Sequence, residues 1–405
     1  MSKQLATIGA FDGATARTSH IGNQELMKNA IPSKGRLHFL DTLRGLAAVY
    51  VVLYHMVVMP HPGLDTPVWA SKFAHTGGTG VTLFFVVSAF SLFYTMPFRL
   101  AKPRPVLSFY LHRFFRIAPL FYVIIIATII RDHWVFQATH PLSEKLASFL
   151  FIFNLLPEGQ QGFVWASWTI GVEMLFYAIF PFIYFRTKSI YAAVSWVIGF
   201  LLLWQLVQTG LEYLPLTAEQ HTAIVQWSVF KHLPIFACGA VAYFVLKGHF
   251  EDARESARRE LGYMLLLAGA FVYMALLNDW LPNLLGNNYY WQGLVYLLLL
   301  IGLCYAPIKS IVNRVTMHLG QISYSVYLIH PTVVYLMIPV YRRIYLHVPT
   351  TTLAMLTCFA ITLAIVIALA EITYRWVEEP GIKLGSYVYR RWFATPAATE
   401  PVLAK

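Results

Sequence analysis

The sequence predicts an all-α polytopic membrane protein with about ten transmembrane helices and one short interfacial or re-entrant segment. Three observations lead there. The chain of 405 residues is 58% hydrophobic and 12% charged, with a mean hydropathy of +0.58, far more apolar than a soluble domain. Its apolar runs recur at the length of about 20 residues that a helix needs to cross a bilayer. Those runs are continuous in Leu, Ile, Val and Phe, without the alternation of outer-membrane strands.

The formal net charge of +11 belongs to topology and implies no nucleic acid. Most Lys and Arg lie in short segments between apolar runs, where the positive-inside bias puts them. Cys238, Cys304 and Cys358 fall inside apolar runs with no paired spacing, so neither a disulfide framework nor a metal site is indicated. Residues 1–36 carry Lys3, Arg17, Lys28, Lys34 and Arg36 with no apolar core after them. They read as a flexible cytoplasmic tail, not a signal peptide.

The first span, about 39–59, follows that basic tail and therefore runs from the cytoplasm outward. It holds Arg44 and His55. Eleven residues carry a helix roughly 16 Å along its axis and only about 20° around it, so both groups share one face. Polar groups at membrane depth are costly unless they face a protein interior, which makes a functional site the default hypothesis. A snorkelling Arg and an interfacial His form the alternative.

A second span, about 78–97, opens on glycines and contains Ser88, which permits close helix contact. The following stretch has Arg99, Lys102, Arg104, Arg113 and Arg116 without an acid. It marks the cytoplasmic side, and Arg113 and Arg116 at i, i+3 also suit an anion. A third span is expected at about 117–131. The run 146–157 is too short to cross and is read as interfacial or re-entrant. The fourth span, about 165–185, places the lone carboxylate Glu173 in its outer half.

Further spans are expected at about 190–208, 229–246, 261–279, 291–307, 317–340 and 350–377. Lys231, beside His232 at the outer end of the sixth, could contact an acceptor or simply snorkel. The ninth carries His330, which either lines a cavity with His55 or packs against a neighbour. Both termini then lie inside, and Arg342 and Arg343 violate the charge bias.

By depth, Arg44, Arg113 and Arg116 converge on the cytoplasmic side, whereas His55 and Glu173 lie in outer halves. Guanidinium groups suit phosphate. An imidazole near neutrality suits taking a proton from an alcohol, with a carboxylate to support its cation. The separation of Arg44 from His55 matches the pantetheine arm of a CoA thioester, held by its phosphates at the cytoplasmic mouth.

These residues carry a resemblance. The pieces are Arg44 with His55, Gly80-Val81 to Ser88, Arg113-Phe-Phe-Arg116-Ile-Ala-Pro119, Ser167 to Tyr177 around Glu173, Ser323 to His330-Pro331, and Tyr374 to Pro380. In this order the chain resembles the acyltransferase-3 family of integral membrane acyltransferases, over roughly residues 37–381. The resemblance implies acyl transfer, most often of acetyl, from cytoplasmic acyl-CoA to a hydroxyl of a glycan or another hydroxylated acceptor. It also implies a requirement for Arg44 and His55, a donor-side role for Arg113 and Arg116, and a site role for Glu173. Ala89 and Gly171 depart from the Gly and Ser common in the family.

The expected organisation is thus a tail over 1–36, a membrane-embedded acyltransferase domain over 37–381 and a basic cytoplasmic tail over 382–405, in a bacterial inner (plasma) membrane. His55 acts as general base or as transient acyl carrier, with Glu173 in support. Arg44, Arg113 and Arg116 hold acyl-CoA, without a metal, and Ser88, His330 and Lys231 contact the acceptor. The rival from another class is a transporter or flippase for an anionic or glycan substrate, since buried Arg, His and Glu also line transport paths. The matching halves common in transporters are not evident. Acceptor identity and oligomeric state are not legible in the residues.

Overall fold

In a bilayer each backbone N–H and C=O must be satisfied within the protein, and a helix does this segment by segment. The computed structural model describes residues 37–251 and 256–394, so the expected tail at 1–36 and the last residues of the C-terminal tail lie outside it. The described chain is 80% helical with no strands. Nine helical stretches in it are long and apolar enough to cross a membrane, and Tyr289–Tyr305 is a shorter apolar helix. The expected all-α polytopic architecture is therefore what the chain adopts.

The elements, in order, are α1 (His38–Val58), α2 (Val68–His75), α3 (Gly80–Leu100), α4 (Pro105–Val135), α5 (Leu142–Phe149), α6 (Trp168–Arg186), α7 (Ile190–Leu211) and α8 (Ala218–Trp227). They continue with α9 (Val229–Glu251), α10 (Ser256–Leu277), α11 (Tyr289–Tyr305), α12 (Arg314–Gln321), α13 (Ser323–His347), α14 (Thr351–Thr373) and α15 (Glu379–Trp392).

Three boundaries differ from the sequence expectation, each for a local reason, and one short segment agrees with it. Helix α4 begins at Pro105, well before 117, and runs for 31 residues. Proline at a first helical position has no N–H to satisfy, so Arg113 and Arg116 stand inside the helix, while Lys102 and Arg104 stay in the turn before it. Helix α5 spans only 8 residues and is followed by the short turn Phe153–Leu155, in keeping with a segment that does not cross. The expected ninth span is two helices. Asn313 caps α12 through Val315 N–H and Thr316 N–H, and the chain restarts after Ile322 as α13. Finally, α14 passes through the π-helical turn Tyr374–Glu378 into α15, so the expected tail from 382 is helical as far as Trp392.

Helix α1 lies at the centre because small residues let its neighbours close on it. A Cβ on Gly45 would stand 2.6 Å from the Thr316 carbonyl, and one on Gly320 would overlap the Asp41 carbonyl. Only glycine at both positions allows α1 and α12 to meet backbone to backbone. The other sides of α1 pack Leu43, Ala47 and Val51 into a core with Val86, Phe90 and Phe93 of α3, and Val52 against Val326 of α13 and Val366 of α14. Arg44 and His55 are thereby fixed on an element enclosed by the bundle.

Candidate functional site

The face of α1 that carries Arg44 looks toward α3, α4 and α6. Arg44 donates from Nη2 to Ser91 Oγ at 2.7 Å, and its Nη1 lies 3.6 Å from Asp41 one turn back. Ser91 is itself anchored on the Val87 carbonyl at 2.6 Å. The early start of α4 brings Arg113 and Arg116 to the same place. Arg113 lies over the ring of Tyr177, 5.4 Å from its centroid, and its Nε is buried without a hydrogen-bond partner.

Glu173, on α6, accepts the Ser88 hydroxyl at 2.6 Å and the hydroxyl of Tyr177, four residues on. Ser88 and Tyr177 stand 3.3 Å apart. Two hydroxyl donors on one carboxylate hold it as an acceptor facing the arginines. A narrow cavity is bounded here by Arg44, Ser88, Arg113, Arg116, Glu173 and Tyr177. Its inner wall is made by Phe84, Tyr324 and Tyr327. A second, wider cavity shares the three arginines and extends toward Arg99 and Lys102. The guanidinium groups therefore form the junction between a narrow inner chamber and a wide basic mouth.

At the other end of the shared face, His55 meets His330 with ring centroids 4.8 Å apart. His330 is fully buried. Its Nδ1 lies 2.6 Å from the Tyr327 carbonyl, and His55 Nδ1 lies 3.0 Å from the Val51 carbonyl. A carbonyl only accepts, so both Nδ1 atoms carry hydrogen. His330 Nε2 then accepts from His55 Nδ1–H, across 3.1 Å. In this arrangement His55 keeps its lone pair on Nε2, the nitrogen that is able to take a proton or an acyl group.

Tyr327 joins the two regions. It lines the inner chamber, its carbonyl holds His330, and its hydroxyl takes a hydrogen bond from Thr169 at 2.9 Å and donates to the Ala166 carbonyl at 3.2 Å. Ala166 sits at φ 62°, a left-handed conformation that costs a non-glycine residue energy and recurs at constrained sites.

The structure thus groups Arg44, Arg113, Arg116, Ser88 and Glu173 around one chamber and joins His55 to His330. It does not bring Glu173 to His55: the carboxylate bonds Ser88 and Tyr177, because α6 faces α3 and α4 at that level. Lys231 stands apart from both regions. Its Nζ lies over the Tyr289 ring at 5.2 Å and donates to the Gln226 carbonyl at 3.4 Å. Among the described residues no group of His, Cys, Asp and Glu has the arrangement of a metal site.

Several residues that shape the site were not singled out from sequence. Tyr177 follows Glu173 by one helical turn, and Tyr324 and Tyr327 fall within the segment leading to His330, so helical spacing is the signal that finds them. Glu378 is 1% exposed and accepts from Ser325 at 2.8 Å. It closes the π-helical turn, a rare geometry frequent at functional sites. The unusual Gly171 also has a local reason, since a Cβ there would stand 2.8 Å from the Phe153 ring.

The family model of the acyltransferase-3 domain, described as an acyltransferase domain, matches residues 37–371. No curated protein and no solved structure matches the chain.

Proposed function

The chain belongs to the acyltransferase-3 family, and from that membership we propose that it moves an acyl group, acetyl by preference, from acyl-CoA to a hydroxyl of a glycan or another hydroxylated acceptor. The observation that carries the proposal is the junction of Arg44, Arg113 and Arg116 between a wide basic mouth and an inner chamber that Tyr327 helps to line. A donor with a charged head and a long thioester arm fits that shape. Its phosphates pair with the guanidinium groups, which engage two oxygens at once, and its arm passes along the chamber toward the histidine pair. In this reading the mouth faces the cytoplasm, the supply side of CoA thioesters.

The chemistry falls to His55. In direct transfer, Nε2 removes the proton of the acceptor hydroxyl while the alkoxide oxygen attacks the thioester carbon. The carbon–sulfur bond breaks, the acyl group leaves as an ester of the acceptor, and the CoA thiolate recovers the proton from the imidazolium. Throughout, the shared Nδ1–H is held by Val51 and His330, which lets the ring take charge without turning. In a covalent variant, Nε2 attacks the thioester, becomes an acyl-imidazole and passes the acyl group to the acceptor, whose proton returns to the thiolate. Arg44 holds the donor in both routes, whereas His55 is the base in the first and the nucleophile in the second.

The test uses purified protein in liposomes with labelled acetyl-CoA. Saturable CoA binding that is lost in Arg44→Ala and Arg113→Ala, with label transfer lost in folded His55→Ala, supports the enzyme. Normal transfer by folded His55→Ala sinks both routes. Uptake of a solute without CoA favours transport. Mass spectrometry of surface glycans from cells with and without the protein then identifies the acceptor.

A further inference from the structure

The wide mouth holds more positive charge than the junction arginines provide. Arg99 ends α3, Lys102 follows in the next turn, and both line the cavity with His112 of α4. Arg44, Arg99, Lys102, Arg113 and Arg116 make five cationic side chains on its wall, against the single carboxylate of Asp41. Asp41 is 3.6 Å from Arg44 and so belongs to the junction.

Two buried donors in this cavity lack acceptors. Arg113 Nε and Arg99 Nε are both enclosed without a hydrogen-bond partner. Arg99 is fixed from its other end, where Nη1 reaches the Ser108 carbonyl at 3.4 Å. The same carbonyl accepts His112 Nδ1–H at 2.6 Å, so one backbone oxygen organises both side chains. His112 also packs against Tyr389 of α15, with centroids 5.6 Å apart, and Tyr389 bonds the Pro103 carbonyl at 2.6 Å. The turn between α3 and α4 is thereby tied down around the arginine.

Buried guanidinium groups with unmet donors, set among like charges, call for an anion. The position of Arg99 says which. It lies eight residues beyond Ser91, the partner of Arg44, or roughly 12 Å further along α3. The mouth accordingly offers two separate anion positions, one at the junction and one at its outer rim. A donor with a diphosphate alone fills the first.

We propose that Arg99, with Lys102 and His112, forms a phosphomonoester subsite that takes the ribose 3′-phosphate of the acyl donor. This rests on acyl-CoA being the donor, as set out above, and it makes the protein discriminate between CoA thioesters and their 3′-dephospho counterparts. The junction arginines hold the diphosphate in both cases. Arg99 does not reach the thioester, so its effect is on binding and not on the chemical step.

Equilibrium binding to the full-length protein in detergent tests this with two probes, acetyl-CoA and 3′-dephospho-acetyl-CoA. Wild type binds the dephospho form roughly tenfold more weakly, the effect of one charge-assisted contact. Arg99→Ala weakens acetyl-CoA by a similar factor and leaves the dephospho form within about twofold. Equal weakening of both probes, or equal wild-type affinity for both, overturns the subsite while leaving the donor assignment in place. Failure of wild type to bind either probe overturns the donor assignment and the subsite together. If Arg99→Ala does not fold, Lys102→Ala at the exposed rim carries the same comparison, and an effect confined to acetyl-CoA is again the result required.

Discussion

His330 presents Nε2 to His55 Nδ1 across 3.1 Å while its own Nδ1–H is held by the Tyr327 carbonyl at 2.6 Å. A neutral imidazole here occupies the place that a carboxylate takes in many base-orienting pairs. It fixes the tautomer of His55 without adding a buried negative charge, whose desolvation would be costly. In the proposed mechanism His330 is therefore a positioning residue, and His330→Ala should lower the turnover number by roughly 10–100-fold, a part of what a well-placed base supplies. The Michaelis constant for the acyl donor should hardly change. His330→Gln, whose amide oxygen accepts from His55 Nδ1–H, should recover part of the loss. Steady-state kinetics of the three proteins decides; a donor Michaelis constant that rises as turnover falls contradicts the assignment.

Glu173 is held by Ser88 and Tyr177 in the arginine chamber, away from the histidine pair. Glu173→Gln removes the charge that faces Arg113 and should reduce kcat/KM about tenfold, the scale of one charged hydrogen bond. It should leave the acidic limb of the pH–rate profile where it is, because that limb reports the base. Tyr177→Phe should act in the same direction and more weakly. A displaced acidic limb in Glu173→Gln means that the carboxylate acts on His55 after all.

How much of this was legible follows from the range of each relationship. The shared face of Arg44 and His55, and the pairing of Arg113 with Arg116, depend on helical period alone, so sequence spacing reveals them. The partners of Glu173 do not. Whether α6 turns that carboxylate toward Ser88 or toward His55 depends on how helices 85 residues apart pack. The same holds for His330, 275 residues from His55, for which lining a cavity and packing on a neighbour were both open. Hydropathy places the third span only from 117, because the basic run before it is too polar to count as apolar, although Pro105 has already begun the helix. The single-residue break at Ile322 is equally hidden, because neither a proline nor a charged side chain flanks it.

The contact of α1 with α12 leaves no room for a methyl group. Gly320→Ala sets a Cβ into the Asp41 carbonyl, and backbone cannot yield as a side-chain tip does. Overpacking of this kind costs about 1–3 kcal/mol or more, and it shifts the helix that carries Arg44. The expected outcome is a lowered unfolding temperature in detergent together with lost CoA binding. Gly199→Ala, which meets nothing within 4 Å, is the control and should leave both unchanged.

Lys231 lies on the Tyr289 ring and reaches the Gln226 carbonyl, and it is not among the residues that line the chamber. Lys231→Ala should keep donor binding and transfer within about twofold of wild type, since the contacts it removes are of the weak, partly exposed kind. A large increase in the acceptor's Michaelis constant would restore this lysine to the acceptor site.

Arg113 combines a stacked guanidinium with an unmet Nε, two properties that an ammonium group cannot reproduce. Lysine keeps the charge but offers no planar fork, and it rests less well on the Tyr177 ring. Arg113→Lys should therefore weaken acyl-CoA binding roughly tenfold, with Arg113→Ala weaker still by a further factor of similar size. The difference between Arg113→Ala and wild type should also shrink as salt is raised, because the variant has one fewer charge interaction for salt to screen. Titration of labelled acetyl-CoA at two ionic strengths measures both effects. Equal affinity of Arg113→Lys and wild type would mean that the position contributes charge alone, and that the bidentate pairing assigned to this arginine belongs to Arg44 or Arg116.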